Sequence, residues 1–391
     1  MRILHIIGTL NPSYGGPVET VKNLGTYFMQ HGVTVEVAVC GDRADDPWIS
    51  AFPLRVHALG PGFGKYAYTP RLLPWLETDG RSYDAWVING LWQYQSLGAA
   101  RVARRLGTPY FVYTHGMLDP WSRRAHPIKY LKKLVYWLFF EQWVLRRARV
   151  VCFTANEEAE LASMYFRIGS WTSFVVGAGI ATPAEPTKQA TAAFVQRFPE
   201  LQNKRLWIFL GRIHPKKGLD LLFNAFRELR LETSDIHVIV AGPGDERYVS
   251  SMKRLAANLG ISSNVSFTGP LYGEDKWAAF KVSELFILPS HQENFGIAVA
   301  EALAMGVPVC ISDKINIWRE IKAADAGLIC SDDAPSLVGT LKKWNHYTGA
   351  KREAFSKRAL ACFQNHFRVE TAASRLIERI ATEVAGASPP R

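Results

Sequence analysis

A chain of 391 residues, 48% of them hydrophobic, can bury two cores of about 150–200 residues each, which excludes a disordered or fibrous protein. Lysine and arginine outnumber the acids 46 to 35, and the net charge of +11 points to an anionic partner: a nucleoside diphosphate, an acidic membrane face or a nucleic acid. The five cysteines are scattered, mostly inside apolar runs and without Cys-x-x-Cys, so they read as buried thiols of a reducing compartment.

Arg2 to Gly8 is a strand, and its apolar part, Ile3–Ile7, is too short for the core of a signal peptide. No apolar run approaches the ~18 residues of a membrane span. The expected location is the cytoplasm, at most peripheral at the inner face of the plasma membrane. The strand opens into Thr9-Leu-Asn-Pro-Ser-Tyr14-Gly15-Gly16-Pro17, and a helix follows from Val18 to Gln30, closed by His31-Gly32. The paired glycines let the backbone approach a ligand closely, although a plain strand-to-helix turn would use them equally well. Val33–Val39, Asp84–Asn89 and Pro109–Tyr113 are further buried strands, with a helix at Gln93–Leu106. Apolar strands alternating with helices predict a parallel sheet covered on both faces, whose ligands bind beyond the strand C-terminal ends. That rim would hold Gly15, Gly16, Asn89 and Thr114-His115-Gly116. A lone histidine is usually structural, but His115 directly follows a strand and precedes a glycine, which favours a functional role.

Between 123 and 149, Arg123, Arg124, Lys129, Lys132, Lys133, Arg146, Arg147 and Arg149 surround Tyr136-Trp137-Leu138-Phe139-Phe140, with Glu141 the only acid. The stretch reads as a helix lying on an anionic membrane, or as a packed helix with solvated cations. Strands follow at Val150–Thr154 and Ser173–Val176. The Gly- and Pro-rich Gly177–Pro186 opens a linker region over 177–200, and Gly177-x-Gly179 lacks the third glycine of a dinucleotide fingerprint.

The second half restarts the alternation. Leu206–Leu210 runs into Gly211-Arg212-Ile-His-Pro-Lys216-Lys217-Gly218, and Ile236–Ala241 into Gly242-Pro-Gly244. Val265–Thr268 runs into Gly269-Pro-Leu271-Tyr272, and Leu285–Leu288 into Ser290-His-Gln-Glu293-Asn294-Phe295-Gly296-Ile297. A helix over Gly296–Met305 and a strand at Val307–Ile311 follow. A helix N-terminus facing Arg212, Lys216 and Lys217 makes a diphosphate cradle, and Glu293 and Glu301 are suited to accept hydrogen bonds from hydroxyls. A sugar nucleotide supplies both kinds of group. The chain is helical from Ser336, its last helix spans Val369–Ala385, and Ala387–Arg391 frays.

Glu293-x7-Glu301 within Glu-Asn-Phe-Gly-Ile-Ala-Val-Ala-Glu-Ala, with Gly211-Arg212-Ile-x-x-x-Lys217-Gly218 upstream, resembles the retaining glycosyltransferases of family 4. Gly15-Gly16 and Thr114-His115-Gly116 are similar to that family as well. The resemblance implies an α/β fold of GT-B architecture, with two Rossmann-like domains facing across a cleft, at 1–176 and 201–368, and a helix at 369–391 returning to the first. It implies that Arg212 and Lys217 neutralise the donor diphosphate, with Gly16 beside it, and that Glu301 binds the ribose. Glu293 would hold a sugar hydroxyl, with the amides of Asn294, Phe295, Gly296 and Ile297 near sugar and phosphate. Gly15, Gly211, Gly269 and Leu271 would complete the donor site, and His115 would lie near the reaction centre. Tyr14, Trp92 and Asp119 are the acceptor candidates. One departure is Ala178, where relatives often have the Asn of an Asn-Gly pair.

The expected reaction is hexosyl transfer from a nucleoside-diphosphate sugar, UDP-glucose first, to a glycan or lipid-linked acceptor of an envelope or capsular polysaccharide. Same-face attack is favoured, because no residue is identified as a nucleophilic carboxylate. There is no Asp-x-Asp and no histidine pair at ligand spacing, so neither metal nor cofactor is expected, the donor being a substrate. No nucleic-acid partner is expected. The rivals are a sugar-nucleotide epimerase or phosphorylase on the same architecture, and a non-catalytic nucleotide-binding or membrane scaffold. A dinucleotide oxidoreductase is disfavoured by the missing Gly-x-Gly-x-x-Gly after the first strand.

Overall fold

The computed structural model describes residues 1–120, 127–166, 170–229 and 235–386, with backbone only at 127–130. Arg123, Arg124, the Lys129 side chain and the 387–391 tail of the sequence reading lie outside the described residues. The chain forms two units, Met1–Ala181 with Arg368–Arg391, and Thr182–Phe367.

The first unit holds β1 (Arg2–Ile7), β2 (Thr34–Val39), β3 (Arg55–Ala58), β4 (Ala85–Asn89), β5 (Tyr110–Tyr113), β6 (Val150–Phe153) and β7 (Ser173–Val175). They make one parallel sheet in the order β3-β2-β1-β4-β5-β6-β7. Successive residues point to opposite faces and both faces are covered, so the central strands are mostly apolar, with His5, Glu36 and Asn89 as buried exceptions. Leu4, Ile6, Trp86, Ile88 and Val112 serve one core, and Ile3, Ile7, Val35, Val87 and Phe111 the other. β3 escaped the sequence reading because Arg55-Val-His-Ala is a half-exposed edge strand with no apolar run, tied to β2 by His57 Nε2 and Glu36 Oε2 at 2.6 Å. The final helix, Val369–Ala385, buries Val369, Ala372, Ala373, Leu376 and Ile380 in the second of these cores, at the spacing of one helical face.

The second unit holds β8 (Arg205–Leu210), β9 (Ile236–Ala241), β10 (Val265–Gly269), β11 (Leu285–Leu288), β12 (Val309–Ser312) and β13 (Gly327–Cys330). Its parallel order is β10-β9-β8-β11-β12-β13. β13 also went unread, since it is four residues long and opens on glycine. Within 177–200 the structure has a helix, Lys188–Arg197, capped by Thr187 Oγ1 accepting from Ala190 N at 3.0 Å. Only Phe194 is buried from it, too little to leave an apolar period in the sequence. In both sheets the strand order reverses once, at β1/β4 and at β8/β11. At such a switch point the flanking loops diverge and leave a crevice beyond the strand ends.

Candidate functional site

In the second unit the β8 and β11 loops emerge side by side. After β8, Gly211-Arg212 leads to a short turn at Pro215–Lys217, closed by Gly218 at φ 67°. A Cβ at Gly218 would run into the Pro289 carbonyl after β11. His291 N donates to Lys216 O at 2.9 Å, which locks the two loops together. Glu293 is fixed through its backbone: its N–H donates to Lys314 O at 2.9 Å, and its carbonyl accepts from Asn316 N at 3.2 Å.

On this frame the Glu293 carboxylate forms an ion pair with the Lys217 ammonium. Burial, then the Arg212 and Lys216 charges, push Lys217 down to about 8, while the Glu293 contact works the other way. Arg212 is exposed and has no ion pair among the described residues. Gly296, in the left-handed conformation at φ 76°, turns the chain into the Ile297–Ala304 helix, and no side chain caps it. Its first N–H groups are open to an anion. Phe295 is buried edge-on against Phe367 at 5.6 Å, and Asn294 Oδ1 accepts from Asn316 Nδ2 at 3.3 Å. On the first turns of the helix, Glu301 Oε1 meets Lys276 Nζ at 2.8 Å, and that ammonium lies 4.1 Å from the Trp277 ring centre. Gly269, at φ 76°, ends β10 at a register shift, with open space where a Cβ would stand, and Leu271 beyond it is half-buried. The structure therefore brings Arg212, Lys217, Glu293 and the 294–297 amides to one switch point. Lys276 was missed, because nothing in its neighbourhood marks a lysine that meets a residue 25 positions away.

In the first unit, Asp42 pins the loop after β1, accepting from Thr9 Oγ1 at 2.5 Å and Leu10 N at 2.6 Å. The loop continues through exposed Tyr14 to Gly15 at φ 69°, and Gly16 already begins the helix, two residues earlier than the sequence suggests. Beyond β5, His115 has φ 49°, and its ring stacks on Tyr113 at 4.4 Å. His115 Nε2 meets Asn89 Oδ1 at 3.0 Å, and Asn89 Nδ2 meets His5 Nδ1 at 3.2 Å. The amide oxygen requires a proton on His115 Nε2 and leaves Nδ1 as the acceptor in the neutral ring. Burial, then the neighbouring His5, push His115 down to about 3, so it acts as a neutral hydrogen-bonding group.

Glu158 holds this strained turn from beneath. Its Oε1 accepts from Thr114 Oγ1 at 2.5 Å and Gly116 N at 2.6 Å, and its Oε2 from Thr154 N at 2.8 Å and Thr154 Oγ1 at 2.5 Å. Burial raises its pKa while these donors oppose the rise. Sequence reasoning missed Glu158 because its partners at 114 and 116 are more than forty residues away. The same turn carries Asp119, whose N–H donates to Gly116 O at 3.1 Å. Trp92, at φ 68°, is fixed by its N–H to Glu141 Oε1 at 2.7 Å and its Nε1 to Met117 O at 3.0 Å. Its indole donor is thus already used, and it offers a ligand only its half-buried ring. Tyr14 belongs to the separate loop after β1.

Residues 191–361 match the family model "Glycosyl transferases group 1", and residues 15–168 match "Glycosyl transferase 4-like domain". The chain belongs to the family 4-like glycosyltransferases of the GT-B type. Among curated relatives, the D-inositol 3-phosphate glycosyltransferase of Salinispora arenicola is 28% identical over 263 residues, 64% of this chain and 58% of that protein. The chain thus spans about three-fifths of that relative's length. Two solved structures share the fold over nearly their whole length. A glycosyltransferase from Rickettsia africae has a TM-score of 0.79 at 15% identity, covering 99% of both chains. Anabaena Alr3699/HepE, solved with UDP, has 0.77 at 17%, covering 98% of this chain and 100% of that one.

Proposed function

We propose that the protein is a retaining hexosyltransferase that moves glucose from UDP-glucose to a glycan or lipid-linked acceptor in polysaccharide biosynthesis. The observation that carries this reading is the gathering of Arg212, Lys217, Glu293 and an uncapped helix N-terminus at the β8/β11 switch point. The two cations and the helix end would stabilise charge building on the departing diphosphate, without requiring a metal. Glu293 would hold a hydroxyl of the sugar and Glu301 the ribose. Both carboxylates already face a lysine, Lys217 and Lys276, which disfavours either as a covalent nucleophile. In same-face transfer the acceptor oxygen bonds to the anomeric carbon as the bond to the phosphate oxygen breaks, and that oxygen takes the acceptor proton. His115 would accept a hydrogen bond from a hydroxyl through Nδ1. Uridine and glucose are supported by the Anabaena protein, which was solved with UDP-glucose. The name of the Salinispora relative adds inositol phosphates to the acceptors worth testing.

The reading includes a membrane contact through 123–149. The helical run from Pro127 to Arg147 exposes Leu131, Val135, Leu138 and Phe139, spaced i, i+4, i+7, i+8, with Phe139 71% exposed. An apolar face turned to solvent between lysines and arginines suits an anionic bilayer surface. No helix among the described residues is long and apolar enough to cross a membrane.

The test is a panel of UDP-, GDP- and ADP-sugars with and without glycan acceptors, in chelator and in its absence. Acceptor-dependent release of UDP from UDP-glucose, unchanged by chelator and giving a product of retained configuration, is expected. Interconversion of the sugar nucleotide without acceptor would assign an epimerase, and an inverted product would overturn same-face transfer.

A further inference from the structure

A cavity of about 560 Å³ opens in the first unit at the N-terminal ends of β5 and β6, the opposite edge of the sheet from His115. Arg104, Arg146, Arg147 and Arg149 line it, and Glu383 is its only acid among the described residues. Arg104 and Arg147 line it together with the buried Tyr110. None of the four arginines has an ion pair among the described residues, and Glu383 is engaged with Arg379 at 2.7 Å. The Tyr94–Leu106 and Gln142–Arg147 helices end here, and each C-terminus offsets roughly half a positive charge. With Glu383 already paired to Arg379, setting those two ends against four guanidiniums leaves roughly three uncompensated positive charges, a setting that suits an anionic phosphate group.

We propose that these four arginines form a binding site for the phosphate headgroup of an anionic phospholipid. The inference rests on the membrane contact described above and adds to it a specific recognition pocket. Its location favours a lipid over a free anion. Arg146 and Arg147 continue the helical run that exposes Leu138 and Phe139, with Arg146 about two turns beyond Phe139. Acyl chains under the apolar stripe and a phosphate in the arginine pocket would belong to one bilayer surface. The fork geometry of guanidinium suits phosphate oxygens better than a lysine cluster would.

Co-sedimentation with phosphatidylcholine vesicles, with and without about 30% phosphatidylglycerol, tests the proposal on the full chain. Three variants accompany it. Arg104→Gln/Arg149→Gln removes two of the four pocket guanidiniums, Lys65→Gln/Arg101→Gln makes the same charge change at two exposed cations of this unit that do not line the cavity, and Phe139→Ser disturbs the stripe. Wild type should gain at least about tenfold in partitioning from phosphatidylglycerol, and the pocket double should lose most of that gain. The outside double should keep it to within about threefold. Equal loss in both doubles would overturn the proposal, because diffuse charge would then explain the preference. An undiminished preference in the pocket double would overturn it as well. Phe139→Ser should weaken binding to both kinds of vesicle. If it does not, the membrane contact fails on separate grounds. Stabilisation by inorganic phosphate that depends on Arg104 and Arg149, without any vesicle preference, would reassign the pocket to a soluble anion and overturn the lipid source.

Discussion

Lys217 and Glu293 are 76 residues apart, yet both lie in sequence patterns that single them out, because each is preceded by a buried strand and followed by a glycine that turns the chain. Glu158, Asp42 and Lys276 do comparable positioning work from unmarked places. Their partners are distant in sequence, and a buried carboxylate that accepts four hydrogen bonds looks in sequence like any acid on a helix. His115 is intermediate. Its place after β5 was readable, whereas its neutrality comes from burial and from His5, which only the fold supplies. Those two histidines have a consequence for pH. Burial pushes His5 down to about 4 and His115 to about 3, against about 6.5 in an unfolded chain. Below pH 6.5 the unfolded state therefore binds more protons, and each histidine removes up to about 1.4 kcal/mol of stability per pH unit until its folded pKa is reached. Glu141, pushed up to about 7 by burial, acts in the opposite sense between its unfolded value and 7 and offsets about one of the two histidines there. The informative quantity is the difference between wild type and His5→Gln in denaturant unfolding. It should shrink steadily from pH 6.5 to about 4, and a constant difference would mean that His5 is charged in the fold.

At the scale of elements, long apolar strands such as β4 and β9 announced themselves, and glycines marked where several strands end. β3, β13 and the Lys188–Arg197 helix could not be read, because each buries too few side chains to impose a period. Their stability comes from neighbours already in place. The β8 and β11 loops were recognised as parts of one candidate site, but their interlock through Gly218, Pro289, Lys216 and His291 is a property of the packed sheet. That interlock makes Gly218→Ala costly twice, once for the left-handed backbone and once for the Pro289 carbonyl. Chemical unfolding should show a loss of at least about 2 kcal/mol. Gly306 also has a positive φ, of 70°, but its nearest neighbour would stand 3.7 Å from a Cβ, so Gly306→Ala should cost only about 1 kcal/mol. Equal costs would remove the interlock from the account.

At the scale of the whole molecule, two doubly wound sheets follow from the alternation of apolar strands and helices, and the excess of positive charge has at least two structural destinations. One is the Arg212–Lys217 loop at the switch point of the second unit. The other is the arginine pocket on the first. Bulk charge could not separate them, since +11 is a sum over surfaces with different chemistry. The assignment of the switch point to a donor diphosphate is the claim on which the rest depends. The most direct measurement is kcat/KM for the accepted sugar nucleotide with Arg212→Ala and Lys217→Ala, at saturating acceptor. Each substitution should cost about 2–4 kcal/mol of transition-state stabilisation, roughly 30- to 1000-fold, with most of the loss in kcat. Activity within about threefold of wild type in both variants would contradict the account and move the diphosphate away from β8 and β11.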